Sequence, residues 1–351
     1  MSELKNFKCP ACGGAMEFDS KLQKMKCPYC DTVLEVEEIE DKEEAAKENE
    51  NESWKEGETD NIKIYSCDSC GGEIVAEDTS AAVICPFCGS KIVVKKQFEG
   101  DLKPDYVIPF KLDKKAAKEA YYSHLKGKPF LPHIFKDQNH IDEIKGVYVP
   151  FWLYDLKTEA DITYDAERTR IWRTGNKEFT EHSQYRVERR GNMNFSNIPE
   201  DGSEKMDDAL MESVEPYDFS EAVSFKTAYL AGYMADRYDV AADHRMKRAV
   251  ERAKTACEDS FMSTVNGYTF VRTAGSNINV KNSSYKYALY PVWILNTTWK
   301  NNKYVFAMNG QTGKMVGNLP VDKSLFWKYI GIRAPIISLI VFAFLTLSDL
   351  F

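Results

Sequence analysis

The sequence predicts an α+β fold in distinct parts: two small cysteine-rich modules, a mixed α/β domain containing an antiparallel meander, and a C-terminal apolar helix. Three observations lead there. Eight of the nine cysteines lie in Cys-x-x-Cys pairs near the start of the chain. From about residue 101 the texture changes to aromatic and β-branched runs interrupted by helical patterns. The last stretch, "APIISLIVFAFLTL" from Ala334 to Leu347, carries no charge.

The cysteine modules are a repeat. "CPACGGAMEFDSKLQKMKCPYC" (Cys9 to Cys30) aligns without gaps on "CDSCGGEIVAEDTSAAVICPFC" (Cys67 to Cys88), 58 positions later. Both read Cys-x2-Cys-x14-Cys-x2-Cys, with Gly-Gly after the second cysteine and Pro after the third. A Cys-x-x-Cys turn aims two thiolates at one ion, and two such turns complete a tetrahedral site. The spacing predicts one zinc held by Cys9, Cys12, Cys27 and Cys30 and another held by Cys67, Cys70, Cys85 and Cys88. Four protein ligands leave no open position, so both ions are expected to be structural. Each module is too small for a self-sufficient core. Metal binding is expected to supply the stability, on the order of 10–16 kcal/mol per site. The start, "MSELKNFKCP", has no apolar signal region, so the thiols are expected in a reducing compartment.

The predicted boundaries are residues 1–36 and 61–100 for the two ribbons, with an acidic linker at 37–60. That linker is too charged to bury a core. Its Glu, Ala and Lys content makes an exposed charged helix the alternative to an extended tether.

Residues 101–322 are expected to form the α/β domain. "DYVIPF" reads as a strand, and "LDKKAAKEAYYSHLKGK" as a helix with Asp113 as N-cap and Gly127 as stop. "GVYVPFWLYDLKTEADITYDAE" reads as one or two long strands, and "KEFTEHSQYRVERRGNMNF" continues in the same manner. Met246, Val250, Ala253, Cys257 and Phe261 recur at helical spacing between Ala241 and Val265. Four short runs from "YTFVRTA" to "KMVGNL" follow as a meander with Asn and Gly at the turns. "YVPFWLYDL" and "LYPVWILNT" share Pro-x-Trp, and "VIPF" echoes their first half. This predicts one sheet built from similar units.

The C-terminal segment is expected to be a transmembrane helix over residues 325–347, a tail anchor in the lipid bilayer. Extended back to Ile330, the run would span roughly 27 Å, close to a bilayer core. Phe326, Trp327 and Tyr329 would sit at the headgroups, and Lys323, Lys328 and Arg333 would keep the N-terminal domains cytoplasmic at the cell membrane. A buried or interfacial helix is the alternative.

Charge argues against nucleic acid. The net charge is -8; residues 1–35 hold five Lys against five acids, and residues 61–100 four Lys against five. A four-thiolate zinc adds negative charge, and phosphate binding needs clustered Lys and Arg. The central domain has such clusters, at Arg168, Arg170 and Arg173, at Arg186, Arg189 and Arg190, and at Arg245, Lys247, Arg248 and Arg252. They are interleaved with acids, as on solvated faces; anionic lipid heads are the sharper alternative. "NGQTGK" (Asn309 to Lys314) lacks the first Gly and the final Ser/Thr of a phosphate loop and reads as a hairpin turn. The five histidines show no metalloenzyme spacing, and Cys257 falls on an apolar helix face. No active site assembles, and no catalytic residue or organic cofactor is expected.

The twin ribbons, "VIPF", "YVPFWLYD", "FSNIPEDGSEKMDDALMESVEPYD" and the apolar end together resemble a family of bacterial membrane-anchored double-zinc-ribbon proteins. Its members are catalogued as general-transcription-factor-B-type zinc ribbons or, through the ribbons, as a primosomal replication-restart helicase. The helicase label conflicts with the incomplete nucleotide-binding loop and the length of this chain. One departure is Asp31, where the knuckle usually carries Gly. The resemblance implies a recruiting role beside membrane stress systems. The expected function is a non-enzymatic adaptor that docks protein partners at the cytoplasmic membrane face. A nucleic-acid-binding regulator and an enzyme with an unrecognised site are the competing expectations.

Overall fold

The fold follows from where the apolar faces of its strands can be covered. A computed structural model describes residues 9–36 (except 10 and 13), 54, 62–77 (except 68), 85–90, 93–97 and 102–348. The predicted acidic linker at 37–60 lies outside the described residues, apart from Trp54. Strands β1 (Glu17–Asp19), β2 (Lys24–Lys26) and β3 (Val33–Leu34) form a small antiparallel sheet in the first module. Strands β4 (Ile62–Ser66), β5 (Glu73–Glu77) and β6 (Val93–Gln97) carry the second.

The body begins with β7 (Tyr106–Val107) and helix α1 (Lys114–Leu125). Asp113 caps that helix as predicted, its carboxylate accepting from the Ala116 amide at 2.8 Å. A short helix α2 (Gln138–Ile141) leads into β8 (Lys145–Thr174) and β9 (Lys177–Asp201). Then come α3 (Asp208–Val214), β10 (Val223–Ser224), β11 (Met234–Asp236) and the long helix α4 (Ala242–Ser263). Strands β12 (Phe270–Trp299), β13 (Asn302–Asn309) and β14 (Met315–Gly317) precede helix α5 (Lys323–Ser348).

The large sheet is mixed. Its path runs β10-β7-β12-β8-β11-β5-β4-β6, with β9 on β8 and β13–β14 on β12. β7–β12 and β8–β11 are parallel, while the remaining pairs are antiparallel. Period-2 alternation explains how both faces are buried. Tyr148 and Trp152 of β8 point to the face covered by α1 and α4. Val147, Val149, Phe151 and Leu153 point to the face covered by α3.

The faint internal repeat has a structural meaning. Tyr148 pairs with Pro291, Val149 with Tyr290, and Pro150 with Leu289. The two Pro-x-Trp motifs therefore meet about a local two-fold between Val149 and Tyr290. Each tryptophan Nε1–H donates to a backbone carbonyl ahead of a helix, Trp152 to Val240 at 2.8 Å and Trp293 to Leu112 at 2.9 Å. The third echo, in β7, lies parallel beside β12, Val107 opposite Leu289.

Two expectations need correction. The strand from 270 to 299 is continuous where the sequence read two separate runs of a meander; with β8 and β9, which the sequence did read as long strands, it forms a three-stranded arm reaching beyond the body. The second correction concerns the transmembrane helix of the predicted fold class and the single-pass, membrane-anchored placement that rested on it. Among the described residues, no helix is long and apolar enough to cross a membrane. The physical reason lies in α5 itself. Lys323, Lys328 and Arg333 occupy its first eleven residues, and Pro335 lies inside it. The charge-free run from Ala334 to Leu347 spans about 21 Å as a helix, well short of a bilayer core of about 30 Å. Residues 331–340 of α5 are exposed, while its start packs on the body, Phe326 and Tyr329 meeting Phe130 edge to face at 5.3 and 5.2 Å.

Candidate metal centres

Each module folds its cysteines with the same backbone pattern. In the second module the Cys67 amide donates to Gly72 O and the Gly71 amide returns to Cys67 O, both at 2.8 Å. The Cys85 amide donates to Ser90 O at 2.8 Å and the Gly89 amide to Cys85 O at 2.9 Å. In the first module, Cys27 N donates to Thr32 O at 2.9 Å and Asp31 N to Cys27 O at 3.0 Å. The residue four after the leading cysteine must turn left-handed to close this loop. Gly71 has φ +70° and Gly89 φ +76°. Asp31 takes the same position with φ 57°. The departure from glycine is thus accommodated, because Asp tolerates this region better than most side chains. Lys26 pairs with the exposed Asp31 carboxylate at 2.9 Å.

The second glycine of each Gly-Gly has another reason. A Cβ at Gly14 would lie 2.6 Å from Tyr29 Cδ2, and one at Gly72 would lie 2.8 Å from Phe87 Cδ2. The aromatic after each Pro lies against the opposite knuckle, and a side chain at the glycine would force that ring to shift. The signal was present in the repeat as Gly-Gly and Pro-aromatic, but their contact required the fold.

All eight predicted ligands are brought together in two groups, Cys9, Cys12, Cys27 and Cys30, and Cys67, Cys70, Cys85 and Cys88. In each, the sulfurs lie within 4.8 Å of one another. The closest pairs are Cys9–Cys30 at 3.4 Å, Cys12–Cys27 at 3.5 Å, Cys67–Cys88 at 3.4 Å and Cys70–Cys85 at 3.6 Å. Four sulfurs at about 2.3 Å from a tetrahedral zinc stand about 3.8 Å apart. The donor set and spacing therefore fit zinc, and the two groups can hold one ion each.

Electrostatics point the same way. Burial pushes the Cys9 thiol up, but hydrogen bonds from Thr32 and from the Cys12 and Ala11 amides outweigh it and bring it to about 6. Thr32 also lowers Cys30, its hydroxyl lying 3.1 Å from the sulfur. A Gly14 backbone hydrogen bond lowers Cys12, yet the neighbouring Cys30 and Cys27 sulfurs prevail and push it up to about 12. In the second group burial raises Cys85 and Cys70, while Ser90 outweighs burial at Cys88 and brings it to about 6. Four thiols this close cannot all ionise without a cation among them. A dication removes that conflict and releases the remaining protons.

The modules sit on the body differently. β5 pairs with β11, Val75 opposite Ala235, so the second module continues the large sheet. Glu73 accepts from Arg237 at 2.5 Å, and Asn296 donates to Pro86 O. The first module pairs with no strand of that sheet and packs into the body's core instead, Phe18 meeting Tyr229 edge to face at 5.2 Å. Phe18 N donates to Ala231 O at 3.2 Å, Gln23 Nε2 donates to Phe110 O at 2.7 Å, and Lys21 pairs with Asp113 at 2.6 Å. Cys12 and Cys30 are exposed in the first site, whereas the outer cysteines of the second, Cys70 and Cys88, are half-buried.

Elsewhere the sequence held partners that reading alone could not match. Arg245, Arg248 and Arg252 line one face of α4 and meet Asp201, Asp208, Glu200, Glu212 and Glu215. Arg186 pairs with Asp165, Arg190 with Asp161 and Arg173 with Glu178. These six arginines are spent on carboxylates, while Arg168 donates to Gly267 O and Arg189 to Thr264 and Glu188 O. "NGQTGK" is a turn between β13 and β14, closed by Asn309 Oδ1 accepting from the Gln311 and Thr312 amides at 2.9 Å. Cys257 is buried against Thr158, its sulfur 3.2 Å from the hydroxyl.

Two four-cysteine zinc-ribbon modules joined to a mixed, double-faced sheet define the class of protein. An uncharacterized protein of Bacillus subtilis (strain 168), YdjG, is 34% identical over 318 residues, covering 91% of each chain. The chain belongs to the same family as that protein. No family model matches the chain, and no solved structure matches it. Neither the transcription-factor-type nor the primosomal label of the sequence resemblance is attached to it by these comparisons.

Proposed function

We propose that the protein is a non-enzymatic adaptor that docks a protein partner through its zinc ribbons, with the α/β body as scaffold. The observation that carries this reading is the surface of the first ribbon. Its four cysteines converge on one point, yet Tyr29 is 76% exposed, Leu22 48% and Val33 40%. Exposed apolar side chains on a rigid, charge-balanced module suit a protein surface better than a phosphate backbone. A four-thiolate site leaves no coordination position for substrate or water, which supports a structural use of the metal.

The test replaces Tyr29 and Leu22 together with Asp in the full chain and compares the proteins recovered with it from its native cell. Zinc content is measured alongside to show that the ribbon still folds. Loss of a stoichiometric partner with zinc retained supports docking; an unchanged set of partners refutes this surface. Salt-sensitive retention of DNA or RNA by the intact chain would favour the nucleic-acid reading instead.

A further inference from the structure

The arm formed by β8, β9 and β12 ends in a two-stranded hairpin, because β12 starts at Phe270 opposite Glu167 while β8 and β9 continue to Thr174 and Lys177. Among the described residues, no strand other than β8 pairs with β9. Its outer edge is therefore a row of backbone N–H and C=O groups, interrupted by no proline between Lys177 and Ile198. Such an edge is a template for another strand unless it is blunted. At the arm's end Trp172 stacks on Phe179, centroids 5.6 Å apart and planes 13° apart, and each is 42% exposed.

We infer that this edge pairs antiparallel with the β9 edge of a second copy, joining two arms into one continuous sheet. Two identical antiparallel strands related by a two-fold place residues of the same face opposite one another, so only every second register is available. The register centred on Tyr185 has the best charge match. It sets Glu181 opposite Arg189 and His182 opposite Glu188, each pair occurring twice, and puts no like charges face to face. Shifting the centre to Gln184 sets His182 against Arg186, and shifting it to Arg186 sets that arginine against itself.

The same register places the exposed Phe179. Phe179 falls opposite Gly191 of the partner strand, and that glycine is the position where a Cβ would meet Phe261 at 3.2 Å. Arg189 already donates to Thr264 and to Glu188 O, which uses three of its five N–H groups and leaves two for a carboxylate. His182 bonds Glu167 at 2.6 Å through Nδ1, which leaves Nε2 for a second partner.

The experiment is mass in solution by sedimentation equilibrium on the full zinc-loaded chain, with amide exchange across residues 177–193. The expected result is twice the chain mass and concentration-dependent protection of β9 amides. Glu181→Arg and Arg189→Glu singly should weaken association at least tenfold, and the combined swap should restore it. Zinc content and circular dichroism show that each variant is folded. A wild-type monomer up to 100 micromolar overturns the proposal. So does a dimer that ignores both single reversals and leaves β9 exchange independent of concentration, since it would pair through another surface.

Discussion

Asp31 shows how a single backbone angle decides what a position tolerates. It sits at φ 57°, where Gly71 and Gly89 serve the equivalent turns. Asp31→Gly should leave zinc binding intact, whereas a β-branched residue such as Val is strained there. Competition with a chromogenic chelator should show at least a tenfold weaker first site in Asp31→Val and little change in Asp31→Gly. Asp236 makes a second case. It is 2% exposed, with Oδ2 lacking a hydrogen-bond partner, and burial pushes its carboxyl up to about 8. Raised above its unfolded value, this group adds stability that is full below about pH 4 and is lost as pH rises through about 8. Asp236→Asn should therefore gain on wild type as pH rises, by more than about 1 kcal/mol between pH 5.5 and 8.5 in urea unfolding. A constant difference across that range would refute the assignment. The cysteine ligands were legible because two matched spacings leave few alternatives. Asp236 was not, because nothing in "YMADRYD" says which carboxylate the core encloses.

At the scale of elements, α4 is held by charge as much as by its apolar stripe. Asp201 is 4% exposed, and burial brings its carboxyl up to about 7 even though Arg245 opposes the shift. Arg245 donates to Asp201 at 3.1 Å and to Asp208 at 3.0 Å. Removing one partner of a buried pair leaves the other uncompensated. Arg245→Ala should cost about 3 kcal/mol at pH 8. The loss should shrink near pH 5, where Asp201 can neutralise by taking a proton. Equal losses at both pH values would contradict this account. The helix itself was readable from its period, as were the Asp113 cap and the turn at Asn309. The length of β12 was not. A sequence shows alternation, but strands commonly run five or six residues. Bulges between Thr273 and Gly275 and between Val280 and Asn282 carry β12 through points that read as breaks.

On the scale of the whole molecule, the two zinc sites are unequal because the sheet treats them unequally. The second module's β5 lies hydrogen-bonded between β4 and β11, so losing its metal frees an edge of the large sheet. The first module shares no strand with that sheet and meets the body through side-chain packing, Phe18 against Tyr229. Cys85→Ser should lower the stability of the body, followed through the buried Trp152 and Trp293, by more than about 2 kcal/mol, and Cys12→Ser should lower it less. Equal effects would show that the sheet does not transmit the difference. None of this coupling was visible in the repeat, which presents the modules as equals. The C-terminal helix shows the opposite failure: composition drew attention to an apolar run, while Lys328, Arg333 and Pro335 limited what that run can do. The central claim is that both four-cysteine groups are zinc sites. It is tested most directly by the zinc content of the full chain purified under reducing conditions. The account predicts two zinc ions per chain; one or none, with the ligand cysteines open to alkylation, would contradict it.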